Sequence, residues 1–179
     1  MSAIDRFKGA NTNFSERGER LTPLQSEETV EGPDGKKTTK FTYEGPAQYQ
    51  VKVLRCTWKE ARDKQEYFIA DFEVLRSTNP KVNVGVQRNW MQCMTGKGSD
   101  AAIKRCGEFA VAAMGLEKTS DEVKAIGDKM DAILAAALLD PADPVCQNSL
   151  AGCILNVEVK QSISKDGVAY TAPTFSPAK

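Results

Sequence analysis

The chain has 179 residues, 41% of them hydrophobic and 27% charged, with formal net charge zero and no histidine. That is an ordinary globular mixture for one domain with decorations. It excludes a histidine base and a Cys/His zinc site, and no apolar run approaches the roughly 20 residues of a membrane-spanning helix.

The opening "MSAIDRFKGANTNFSERGER" has charges with no apolar block behind them, so it is not read as a secretory signal. The expected location is the cytoplasm. Residues 1–44 form a polar arm without helical periodicity. Near its end, "TVEGPDGKKTTKFTY" places Gly32, Pro33, Asp34 and Gly35 between two β-prone runs, which predicts a hairpin.

A domain is expected over 45–179. "AQYQVKVLRCTW" alternates, with Tyr49, Val51 and Val53 on one face. "YFIADFEVLRS" follows with Phe68, Ala70, Phe72 and Val74 on one face, and Asn79-Pro80 marks a turn. "VNVGVQRNWMQCM" reads as a third strand of awkward parity. Val82, Val84 and Val86 share a face with Arg88 and Trp90, while Met91 and Cys93 fall on the other. A bulge near Gly85 or Arg88 would reconcile them.

Two helices are expected within 98–140. The first is capped by Ser99 and closed by Gly115. The second opens on the capping box Thr119–Glu122 and carries Val123, Ile126, Met130, Ile133 and Leu134 as its apolar stripe. "GCILNVEVKQSIS", the turn "KDG" and "VAYTAPTF" return to strands. The five cysteines include no C-x-x-C pair and read as buried free thiols.

Three strands, a helical detour and two strands is the order of a five-stranded OB-fold barrel, mainly β with two helices between its third and fourth strands. "YFIADFEVLRSTNPKVNVGVQRNWM", "AIKRCGEFAVAAMGL" and "LAGCILNVEVKQSISKDGVAYTAPTF" together resemble phage-encoded OB-fold proteins that bind single-stranded DNA. The resemblance spans residues 46–177. It implies non-catalytic, sequence-tolerant binding of single-stranded DNA in phage replication or recombination. The ending "TAPTFSPAK" departs from the acidic tail of bacterial-type single-strand binders.

Charge is uneven along the chain. Residues 45–97 hold nine Lys/Arg and five Asp/Glu, and 98–150 hold five and nine. A single-strand binder needs cations for phosphates and flat rings for bases. The candidates are Lys52, Arg55, Trp58, Lys59, Arg62, Arg76, Lys81, Arg88, Trp90 and Tyr170. Trp90 serves as a platform or as core, and the cations bind phosphate or are solvated surface. No cofactor or metal is expected. Self-association through the arm or the helices is a further expectation. One rival reading is an OB-like module that binds proteins and not nucleic acid. A weaker one is a metal-dependent nuclease accessory using Asp71 and Glu73. "GKGSD" lacks the spacing of a phosphate-binding loop.

Overall fold

The computed structural model describes residues 19–61, 64–96, 99–117 and 150–179. The elements in chain order are β1 (Leu24–Glu31), β2 (Lys37–Gly45), β3 (Ala47–Glu60), β4 (Glu66–Ser77), β5 (Gln87–Cys93), α1 (Ser99–Ala113), β6 (Ile154–Ile163) and β7 (Ala169–Pro177). The strands make two sheets: a β1–β2 ribbon and a five-stranded antiparallel sheet ordered β5-β4-β3-β6-β7.

The ribbon turns on the residues its sequence marks. Pro33 and Asp34 occupy the corners, and Gly35 takes φ 73°, a left-handed conformation that costs glycine little. Gly35 N–H donates to Gly32 O and Gly32 N–H to Lys36 O, each at 2.9 Å.

β3 organises the larger sheet. It pairs with β4 over most of its length and with β6 over Ala47–Lys52. Its register with β4 slips twice, at Gln50/Val51 and at Val53/Arg55. The second slip inverts the parity, so that Val53 and Cys56 both face the core while Arg55 faces out.

The third predicted strand starts later than its pattern suggests. Val82–Val86 form turns, and the strand begins at Gln87. Gly85, at φ 83°, donates to Val74 O at 2.7 Å, and Val74 N–H donates to Val86 O at 3.0 Å. Two residues thus oppose one, which is a bulge with glycine at its left-handed position.

α1 covers the inner face of the sheet. Gly115 (φ 78°) ends it, with Gly115 N–H on Ala112 O and Leu116 N–H on Val111 O. This is the double bond of a Schellman cap. Phe109 is fully buried, with ring centroids 5.4–6.0 Å from Phe68, Phe72, Trp90 and Phe175.

The expected five-stranded OB-fold barrel is not what forms. β5 and β7 share no ladder among the described residues. The sheet curls until Trp90 of β5 and Phe175 of β7 lie 4.8 Å apart, yet it stays open. The physical reason is that the free edge of β5 is already occupied. Asn89 N–H donates to Glu19 O and Leu21 N–H to Asn89 O, so Glu19–Leu21 runs parallel to β5 where a closing strand would pair. Leu21 enters the core, and Tyr49 Oη anchors the next residue through Thr22 O at 2.6 Å. Asn79 Nδ2 donates to that same hydroxyl at 3.0 Å. One helix is present among the described residues, and the predicted second helix lies outside them.

Candidate nucleic-acid interface

Alternation divides the predicted site between two faces. Tyr49, Val51, Val53, Phe72 and Val74 point inward and are buried. Lys52, Arg55 and Arg76 therefore stand on the outward face, whereas Arg88 and Trp90 pair with Phe72 and Ala70 on the inward side. The described members of the predicted set therefore do not share one face.

Trp90 is core, not a stacking platform. Only 7% of it is exposed, and Phe68, Phe109 and Phe175 surround its ring. Three apolar neighbours arriving from β4, α1 and β7 decide its side. Arg88, near the edge of β5, is held by Glu19 at 3.3 Å and donates to Gln87 O.

Three of the other predicted cations are also matched by carboxylates. Lys52 Nζ lies 3.5 Å from Glu73, and Lys81 Nζ lies 3.5 Å from Glu27. Arg55 Nε donates to Asp71 Oδ2 at 2.6 Å, with the Asp71 side chain only 8% exposed. This last pair carries a short charge-assisted hydrogen bond. Asp71 and Glu73 are thus both committed to cations. Among the described residues no group of three His, Cys, Asp or Glu is placed to hold a metal. Trp58 and Lys59 stand in β3 opposite Phe68 and Tyr67, and Arg62 lies outside the described residues.

Arg76 has no ion pair among the described residues and is exposed. It begins a polar row across four strands: Arg76, Gln50, Asn156 and Ser176 are successive cross-strand partners. Gln50 Nε2 donates to Asn156 Oδ1 at 3.4 Å. Gln48, Glu158 and Thr174 form a second row beside it. Together they line an open groove of about 720 Å³. The outward face continues along β6 and β7 to Lys160 and Tyr170. These sit diagonally, because Lys160 pairs with Ala172 and Ser162 with Tyr170.

Tyr170 is 40% exposed and has company the sequence reading missed. Phe41 (55% exposed) and Tyr43 (41%) project from the β1–β2 ribbon. All three rings line one small groove with Gln25 and Gln161. The signal was present in "KFTYEG", where aromatic residues alternate on a ribbon with no further strand or helix to bury them.

Cys56 and Cys106 are buried and take no part in this surface. Burial pushes the Cys56 thiol far up, aided by the nearby Asp71 charge, and pushes Cys106 up to about 12. Both stay protonated and unreactive at neutral pH. No helix among the described residues is long and apolar enough to cross a membrane.

No protein-family model matches the chain, and no curated protein matches its sequence.

Proposed function

We propose that this chain binds single-stranded DNA without chemistry and with little sequence preference, in phage DNA replication or recombination. Phe41, Tyr43 and Tyr170 carry the reading: three large rings, each at least 40% exposed, meet around one groove. Isolated exposed apolar residues need no explanation, but a group of rings does. Every base has a π-face, so stacking is tolerant of sequence and contributes roughly 1–3 kcal/mol per base.

The phosphate component is small in this reading. Lys52, Arg55, Lys81 and Arg88 are held by carboxylates, which among the described side chains leaves Arg76 and Lys160 as cations without an ion pair on the outward face of the larger sheet. Two phosphate contacts on a single strand correspond to a slope of log K against log salt of about −1.4.

The test is fluorescence anisotropy of a labelled oligo-dT at several salt concentrations, with duplex competitor. Saturable binding with a shallow slope, resistant to duplex, is expected. No binding at low salt, or equal competition by duplex, would overturn the proposal.

A further inference from the structure

Among the described residues the β1–β2 ribbon leaves two bare sheet edges, whereas the outer edges of the larger sheet are protected. The free edge of β5 is taken by Glu19–Leu21, and β7 has α1 packed against it and carries Pro173 and Pro177, which cannot donate to a ladder. Beyond Gln25, every residue of β1 is exposed, as is β2 from Lys37 to Glu44. An isolated two-stranded ribbon is marginal in water. These edges are rich in β-formers, among them Thr29, Val30, Thr38 and Thr39.

The hydrogen-bond phase shows which groups face outward. Gly32 N–H bonds Lys36 O, and bonded and non-bonded pairs alternate along an antiparallel ribbon. Val30 bonds Thr38, and Glu28 bonds Lys40. Thr29 and Glu31 therefore turn their N–H and C=O groups to the outer edge of β1, as Lys37 and Thr39 do for β2.

Charge selects the occupant. β1 carries Glu27, Glu28 and Glu31 and no cation, whereas the outer half of β2 carries Lys37 and Lys40 and no acid. Pairing β1 with β1 of another copy sets acid against acid, and β2 with β2 sets base against base. Pairing β1 of one copy with β2 of the next sets acid against base.

We propose that the ribbon is an assembly site for a second copy of this chain, joined head to tail, β1 edge to β2 edge. Such an interface does not close on itself by two-fold symmetry, so copies add head to tail beyond a dimer, into rings or open chains. This inference stands apart from DNA binding and is tested without nucleic acid.

Thr29→Pro blocks only the β1 edge and Thr39→Pro only the β2 edge, because each removes an outward N–H and spares the ladder within the ribbon. Sedimentation equilibrium reads the mass. The unmodified chain should show mass rising with concentration past a dimer and falling with added salt. Each proline variant alone should remain at 19.6 kDa, and an equimolar mixture should reach twice that mass and stop. Thr29→Ala and Thr39→Ala should assemble like the unmodified chain, and near-ultraviolet dichroism from the Trp90 cluster checks that every variant folds. Monomer at all concentrations would overturn the proposal. So would assembly of either proline variant alone, which would mark a two-fold contact through the remaining edge.

Discussion

Freeing a single lysine provides a quantitative check on the proposed DNA interface. Lys52 is two residues from Gln50 along β3, beside the polar groove, and its ammonium is 3.5 Å from Glu73. The two side chains are 43% and 36% exposed, and exposed pairs contribute about 0–1 kcal/mol to folding. Glu73→Gln should therefore leave the fold intact while releasing one cation on the outward face. On a single strand each added phosphate contact steepens the salt slope by about 0.7, which at about 0.1 M salt is a fivefold gain in affinity. Anisotropy titrations of oligo-dT on both proteins across a salt series measure this. The slope should move from about −1.4 to about −2.1, with the lines converging towards high salt. Parallel lines, or weaker binding by Glu73→Gln, would refute the claim that Glu73 withholds Lys52 from phosphate.

Two further outcomes test the core. Phe109→Ala removes the ring that Phe68, Phe72, Trp90 and Phe175 pack around, so a loss at the upper end of the usual 3–5 kcal/mol is expected, read as a fall in urea midpoint. A loss near 1 kcal/mol would mean that the aromatic cluster does not hold α1 on the sheet. The buried thiols predict a loss of stability in alkali. Cys106 is raised from its ordinary 9.0 to about 12 and Cys56 is raised as well, so the folded chain holds these protons more tightly than the unfolded chain. Their contribution is fully present below about pH 9 and is lost as pH climbs towards the folded values, at up to about 1.4 kcal/mol per pH unit for each thiol. Urea midpoints measured between pH 8 and 10.5 should fall, and the double variant Cys56→Ala, Cys106→Ala should fall less steeply. Equal slopes would contradict the assigned burial.

The strands, the GPDG hairpin and the Gly115 helix stop were legible because each rests on local rules of alternation, turn chemistry and backbone freedom. What stayed hidden depends on residues distant in sequence. Barrel closure was lost to Glu19–Leu21, three residues in a polar arm with no periodicity of their own. The basic excess over 45–97 looked available for phosphates, but cross-strand register sets Lys52 opposite Glu73 and Arg55 opposite Asp71. A charge count over a window does not see such partners. Parity placed Trp90 on a definite face, but Phe109 and Phe175, arriving from α1 and β7, made that face the interior.

The most direct measurement is photo-cross-linking of a bromodeoxyuridine-substituted single strand to the intact chain, with the modified residues located by mass spectrometry. Cross-links at Phe41, Tyr43 or Tyr170, weakened by Tyr170→Ala and competed by oligo-dT, are the predicted result. Absence of cross-linking, or adducts confined to residues away from that groove, would contradict the account.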